Sequence, residues 1–480
     1  MEKHVCRTLL ILSLLFLSTT SFSQIHISGP QSGTLIDTTY IVDGDISVEA
    51  GDSLLIEPGA RFLFNSFCRF SVQGYLRAVG NERDSIYFVP NHGSTFWNGI
   101  DVGSEASDFS LLEYCLITGS TNVGIAITRC NLTIRHCTIS GNSGRSWGGG
   151  ILCVDCTCRI ANCVIARNRA GLGGGIGCFP GGKPYVEECL IADNYGHEGG
   201  GIHAELSSSP VFYRCTITRN HSEIRGGGAC VMVGASHLTM INCTVYGNTC
   251  DEPYGGGINV YGNCKLHMVN SIVAGNSNIG VWVGELNARE SIRNCDFYDN
   301  DGGDFQGARS DSLGIVITTN ANGDSCDRYS NMFLEPLFVN AATGNFKLQE
   351  SSPCIDAGDP NSQLDPDSTI ADIGAFYYDQ STAINPWSRI EPPATCCILW
   401  NYPNPFNAAT QISFSLPNAG NVELTVSNVL GQRVATLLSG YQPSGNQHII
   451  WDARDVASGI YFARMQTGAQ VKSIKMVLLK

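Results

Sequence analysis

Four side chains of this 480-residue sequence have the types and spacing to act together: Trp147, Glu198, Arg225 and Tyr254. Each stands immediately before a run of three glycines, as does Leu172. His197, His203, His221 and Glu223 lie close by. A carboxylate beside an Arg or a His can do acid–base work. Aromatic rings flanking such a centre can hold a sugar chain, and glycines without side chains let it approach closely. His197, Glu198 and Arg225 are therefore the candidate catalytic groups. Trp147, Glu198, His203, Arg225 and Tyr254 are the candidate ligand-binding groups. The plainer reading of the same residues is a surface ion pair between two exposed aromatics. Two other clusters invite a metal. Asp356, Asp359, Asp365 and Asp367 bunch together, and Asp359, Asp365 and Asp367 are candidate calcium ligands because hard cations take several oxygens. Their stretch lacks the glycine and terminal glutamate of a calcium loop, so solvated turn residues are the alternative. Cys153-x2-Cys156-x-Cys158 has the look of half a zinc site, but the chain offers no matching second half.

Whether the first group meets at all depends on the elements that carry it. Between Cys115 and Asn300 a phrase recurs eight times: Cys, two apolar-leaning residues, two variable ones, then Asn. It reads CTISGN at Cys137, CVIARN at Cys163, CLIADN at Cys189 and CTITRN at Cys215, with SIVAGN at Ser271. Copies lie about 22 to 28 residues apart, the spacing of a solenoid coil. The glycine triplets fall between them and end on Ile151, Ile176, Ile202, Ala229 and Ile258. Apolar residues follow at i and i+2, which is strand periodicity, and triple glycine would be costly in a helix. A further apolar column precedes each Cys by three: Leu112, Ile134, Ile160, Val186, Phe212, Met240, Met268 and Ile292. Each unit thus offers about three short strands that cannot bury their apolar faces alone, so the units must stack. The expected fold is all-β, a parallel β-helix filled by Ile, Val and Cys columns. The recurring Asn is expected to form an outer ladder at one corner, in left-handed turn geometry. If register holds, Trp147 and Tyr254 stand four coils apart, roughly 19 Å.

The rest of the chain frames this solenoid. Residues 1–23 read as a secretory signal peptide, with Lys3 and Arg7, an apolar run Leu9 to Leu17, and a Ser21-Phe22-Ser23 cleavage site. No later segment is long and apolar enough to span a bilayer. Net charge is −14 overall and −18 over residues 24–400. That acidity argues against nucleic acid or anionic lipid as a partner, and a polyanionic sugar would need a local basic patch or a bridging cation. Twenty-one cysteines in an exported chain first suggest disulfides. In-register stacking points side chains in parallel, which suits that bond poorly, so most are expected as buried thiols. Cys250 with Cys264, or Cys156 and Cys158 with neighbours, remain able to pair. Residues 24–380 are expected to be the β-helix with a C-terminal cap, 381–400 a linker containing Cys396 and Cys397, and 401–480 a small β-sandwich.

Two resemblances sharpen this. The opening stretches ISVEAGDSLLIEPGARFLF, FSVQGYLRAVG and FWNGIDV, and then the GGGI repeats, resemble bacterial right-handed parallel β-helix proteins of the pectate-lyase-like superfamily. FLEPLFVNAATGNFKLQESSPCIDAGDP and ADIGAFYY resemble the end of the choice-of-anchor group within it. The last eighty residues resemble the C-terminal sorting domain of the type IX secretion system, through Tyr402 to Phe406, Gly431, Gly459-Ile460-Tyr461 and the Lys-rich final strand. That resemblance implies contact with the secretion machinery, passage across both membranes of a Gram-negative-type bacterium, and release or attachment at the surface after the domain is removed. For the rod, fold is not function. The leading expectation is a secreted or cell-surface protein that binds a carbohydrate or a surface partner, or serves as structure. The Asn-Thr-Asp, paired-Asp and Gly-His-Gly signatures of polygalacturonase-like helices are absent; the nearest approach is Gly196-His197-Glu198. The alternatives are a polysaccharide lyase, hydrolase or epimerase acting along the helix face, and an adhesin engaging a protein.

Overall fold

The computed structural model describes residues 24–91, 96–284, 289–307, 313–380, 399–402, 406–416, 419–443, 445–467 and 470–479. The leader expected over 1–23, residues 381–398 of the linker expected over 381–400, with Cys396 and Cys397, and Pro403, Asn404 and Pro405 lie outside the described residues; Leu399 and Trp400, placed in that linker, instead open a strand. The chain forms two compact units, Met1–Ser381 and Thr382–Lys480.

In the first unit each repeat makes one turn of a parallel solenoid. Tyr185–Glu187, Leu190–Ala192, Tyr195–Glu198 and Ile202–Ala204 follow one another. They pair in parallel with Val211–Tyr213, Thr216–Thr218, His221–Arg225 and Ala229–Val231 of the next coil. The apolar columns stack as their spacing dictates. Ile139, Ile165, Ile191 and Ile217 lie opposite one another and are fully buried. So do Ile134, Ile160, Val186 and Phe212. Nearer the N-terminus the same device is aromatic: Tyr40 stacks on Phe62 and Phe62 on Phe88, each at 5.1 Å. The middle coils carry a fourth strand that the pattern did not predict, in a sheet of Arg169–Leu172, Tyr195–Glu198, His221–Arg225 and Thr249–Cys250. Its segments are short and mostly polar, so they hold no apolar period to read.

The corners also differ from expectation. The recurring Asn does not face outward. Asn142, Asn168, Asn194 and Asn220 are almost wholly buried. The left-handed residue is the one before each Asn, as at Arg167, Asp193 and Arg219. A second left-handed residue precedes each Cys, as at His136, Asn162, Glu188 and Arg214. The reason is hydrogen bonding. Asn194 Oδ1 accepts from the Asn168 backbone N–H at 2.9 Å and from Asn168 Nδ2 at 3.1 Å. Asn194 Nδ2 donates to Ile165 O at 2.8 Å and to Asn220 Oδ1 at 2.9 Å. A buried amide is retained where it satisfies backbone groups that the bend removes from the sheet. Asn194→Ala is expected to lower the unfolding free energy by about 3 kcal/mol, since it strands several buried groups. Arg219→Ala, which breaks an exposed pair with Asp193, is expected to change it by under about 1 kcal/mol. Urea denaturation of the two variants compares them.

The C-terminal part of this unit is irregular. Met332 closes over the last coil beside Cys295 and Asp296. Residues expected to cap the end continue along its flank instead: Arg214 pairs with Asp365 at 2.7 Å, Asn242 donates to Asp372 O, Gly374 N–H donates to Asn270 O, and Arg293 pairs with Asp359 at 3.0 Å. This strap ties four successive coils together at one corner. Under it Asp296 is buried, accepting from the Leu334 N–H at 3.1 Å, and burial pushes its carboxyl up to about 7. In the unfolded chain the group titrates near its usual ~3.9. Between those values the folded state holds a proton that the unfolded state does not, so stability falls as pH rises from about 4 to about 7. Asp296→Asn is expected to flatten that fall, read as melting temperature against pH.

The second unit holds two antiparallel sheets. Leu399–Tyr402, Ala409–Leu416 and Gly445–Asp452 form one. Arg433–Gln442, Gly420–Asn428, Gly459–Thr467 and Gln470–Leu478 form the other. Phe406, Ile412, Phe414, Trp451 and Tyr461 share one apolar core.

Candidate functional site

The glycine triplet ends one strand and opens the next, and the residues on either side of it define an outer face. Gly199 takes φ +66, and a Cβ at Gly200 would strike the carbonyl oxygens of His221 and Gly227 on the following coil. The turn is therefore stacked as tightly as its backbone allows, and the side chains before it fall into line. Trp147, Leu172, Glu198, Arg225 and Tyr254 pair successively across the coils. The second outward column, one residue past the triplet's Ile, runs Leu152, Gly177, His203, Cys230, Asn259 and Trp282.

In the middle of the face these columns are closed. His203 and Cys230 are 0 % exposed. The His203 ring stacks on Phe179 at 5.7 Å, and its Nε2 lies 3.3 Å from Glu205. Its Nδ1 is buried without a hydrogen-bond partner. Glu198 pairs with Arg225 at 3.5 Å, and the guanidinium lies 5.5 Å from the Tyr254 ring and 5.1 Å from Tyr261. The Glu198 carboxylate, a His203 nitrogen and the Cys230 sulfur lie within 4.8 Å of one another. Those donors are of metal-ligating type, but the Arg225 cation already balances the carboxylate. Burial, with the Glu198 charge, pushes the Cys230 thiol well up. A polymeric substrate has no access to a wholly buried imidazole, and the group serves as a polar layer at the end of the fourth strand.

The three candidate catalytic residues do not converge. His197 and Glu198 are neighbours in a strand and point apart. Half-exposed His197 pairs instead with Glu223 at 2.6 Å, and the Tyr195 hydroxyl donates to the same carboxylate. Those two donors, the tyrosine foremost, hold the Glu223 carboxyl below its usual range. The acids of the strap are each engaged by protein donors: Asp359 by Arg293 and Asn361, Asp365 by Arg214 and the Asp372 N–H, Asp367 by Thr369 and the Gln380 N–H. Among the described residues these three form no metal-ligating group.

The face opens at its N-terminal end. Trp147, 51 % exposed, borders a cleft of about 220 Å³ with Arg69, Asn98, Asp101, Asn122 and Arg145. Asp101, Ala126 and Leu152 form its floor and continue the second outward column. Arg69 pairs with Asp101 at 3.6 Å. Among the described residues Arg145 has no side-chain partner, and its guanidinium is exposed. Of the residues proposed from sequence, Trp147 alone lines this opening. Arg69 and Asp101 belong to coils whose glycine signal is thin or absent, and Arg145 stands two residues off the column that its glycine triplet marks, so the repeat did not pick them out.

Matches to the right handed beta helix region cover residues 20–190, 79–245, 145–297 and 200–333, together more than half of the chain. The chain belongs to the right-handed β-helix family. Residues 401–479 match the secretion system C-terminal sorting domain. The particular protein is thus a repeat β-helix carrying a type IX sorting tail, which engages that machinery and directs it to the cell surface or the extracellular space. No curated protein and no solved structure matches the chain. Among the described residues no helix is long and apolar enough to cross a membrane.

The Glu198–Arg225 pair supplies a test of the closed layer. Its side chains are 15 % and 23 % exposed. Arg225→Ala is expected to destabilise the fold by about 1–3 kcal/mol, because it leaves a carboxylate without its counter-charge. Adding Glu198→Ala is expected to restore part of that loss. A denaturation double-mutant cycle measures the coupling.

Proposed function

We propose that this exported β-helix binds glycan, and that the cleft beside Trp147 holds one residue of an acidic sugar chain. The observation that carries the reading is a half-exposed indole beside an unpartnered guanidinium at the cleft in the N-terminal part of the face. An indole presents a flat apolar surface to a sugar ring, and Asn98, Asn122 and Asp101 supply hydrogen-bonding groups around it. The volume is below the ~300–1,000 Å³ of a pocket that swallows a whole ligand, which suits one unit of a chain lying along the rod. Arg145, with Arg69 behind it, is the local basic patch that a chain of net charge −14 needs before it can hold an anionic sugar.

The exported full-length protein, tested on a glycan array, is expected to retain acidic oligosaccharides. Trp147→Ala is expected to weaken that binding by about tenfold or more, equivalent to about 1.4 kcal/mol. Arg145→Ala is expected to reduce binding of acidic chains selectively and to lessen its salt dependence. An array without a ligand, or a Trp147→Ala variant that binds like the parent, sinks the reading.

A second reading, a glycan-modifying enzyme, is favoured by one feature: Tyr195, Glu223 and His197 are hydrogen-bonded together on the outer surface, with Arg169 4.0 Å over the Tyr195 ring. Depolymerisation of the array's ligands by the parent but not by Glu223→Gln would establish it.

A further inference from the structure

Seven cysteines of the rod, from Cys115 to Cys295, form a ladder of one per coil, with each sulfur bonded to backbone. Cys115, Cys137 and Cys163 N–H groups donate to the sulfur of the next coil's Cys at 3.4 Å, and the thiols donate in turn to carbonyls. One group breaks this rule. Cys153 lies on the inward side of Ile151–Val154, and Cys156 and Cys158 follow in the turn that leads to Arg159–Ala161. Here the sulfurs meet one another. Cys158 Sγ is 3.6 Å from Cys153 Sγ and 3.8 Å from Cys156 Sγ, and all three lie within 4.8 Å. Four thiolates around one zinc at ≈2.3 Å stand roughly 3.8 Å apart by tetrahedral geometry. The sulfurs already occupy ligand positions about a single small ion.

The surroundings support this over simple packing. One coil earlier the places of Cys153 and Cys158 are filled by Ile127, paired with Cys153, and by Leu132, whose carbonyl accepts from Arg159 N–H, while the place of Cys156 is filled by another buried thiol, Cys130. Aliphatic side chains therefore suffice at two of the three places. Read along the chain, the motif lacks a second half. The solenoid offers a fourth thiol across the coils: Cys178 stands in register with Cys153 and is buried, outside the three sulfurs that already lie within 4.8 Å of one another. Entry is short: Cys156 lies under a turn whose Asp155 and Thr157 are exposed.

We propose that Cys153, Cys156 and Cys158, with Cys178 as fourth ligand, form a structural zinc site in the wall of the β-helix. Four thiolates and no open position make a closed site. The ion would fasten the surface turn to the interior and shield these thiols from oxidation outside the cell.

The full-length protein, purified under reducing conditions and given zinc alone, is expected to retain about one equivalent through gel filtration. Replacing zinc with cobalt(II) is expected to give the intense visible and near-ultraviolet bands of tetrahedral cobalt–thiolate. A chelator is expected to lower the melting temperature, and zinc to restore it. Cys156→Ser and Cys158→Ser are expected to abolish the cobalt bands, whereas Cys189→Ser, in the separate one-per-coil ladder, keeps them. The cobalt titration of the parent needs no variant, so a misfolded serine variant cannot hide the result. Absence of retained zinc and of cobalt–thiolate bands overturns the proposal. So does a Cys153–Cys158 disulfide found by mass spectrometry in the freshly isolated, unreduced protein.

Discussion

One buried amide per coil holds the rod in register. At the corner after each Cys-led strand, a residue such as Asp193 or Arg219 turns left-handed. A left-handed non-glycine residue costs about 1–2 kcal/mol, and the bend takes an N–H and a carbonyl out of the sheet ladder. The Asn that follows satisfies both with one side chain. Its Oδ1 takes the N–H of the coil before, and its Nδ2 reaches the carbonyl of the Ile in that coil's strand, as Asn168 does to Ile139 at 2.9 Å and Asn220 does to Ile191 at 2.9 Å. The carboxylate of Asp has no donor, and Gln would overreach. The chain of amides runs from Asn142 to Asn300 without a gap. A slip of one residue would break every link at once, which fixes the pairing more firmly than the apolar columns alone.

That register decides what the outer surface can present. Side chains before and after the glycine triplets are forced into columns, so their chemistry is read along the rod and not around one coil. Where a coil carries the fourth strand, Glu198 and Arg225 end that strand partly shielded, and His203 and Cys230 beside them are buried. Where it does not, from Asp101 to Leu152, the same face is open and Trp147 and Arg145 stand free of it. Closed middle and open end are one construction with and without a short polar strand.

The architecture was legible because its determinants are periodic. Ile139, Ile165, Ile191 and Ile217 fall in line from spacing alone, as do the five residues that precede glycine triplets. The direction of a side chain at a corner was not legible. Asn is common in exposed left-handed turns, so an outer ladder was the natural reading; the deciding fact, which backbone groups the bend orphans, exists only in three dimensions. The candidate site suffered in the same way. His197 and Glu198 are adjacent in sequence and so read as one cluster, yet strand alternation sends one to Glu223 and the other to Arg225. Arg69 reaches the cleft from a coil without a strong glycine signal, Arg145 from a turn two residues ahead of Trp147, and no periodicity connects them.

The cysteines show how far a column can mislead when residue type is read without its partner. In an exported chain twenty-one of them suggest cross-links. All eighteen that are described are buried and unpaired. The ladder position explains itself where Cys is absent. Ser271 takes the place of a thiol, and its Oγ accepts the Cys243 N–H at 3.0 Å; at the end of the rod Asn331 Oδ1 accepts from Cys295 N–H at 3.1 Å. Sulfur, hydroxyl and amide oxygen share one property there, a compact acceptor beneath the N–H that the left-handed corner exposes. Serine cannot form a disulfide, so a cross-link is not what the position requires. A small side chain that also fills the interior is, and a thiol meets both needs with little desolvation cost. The Asn amides at one corner and the Cys sulfurs at the other are then two answers to the same demand: every coil must satisfy, from inside, the backbone groups that its own bends turn away from the sheet.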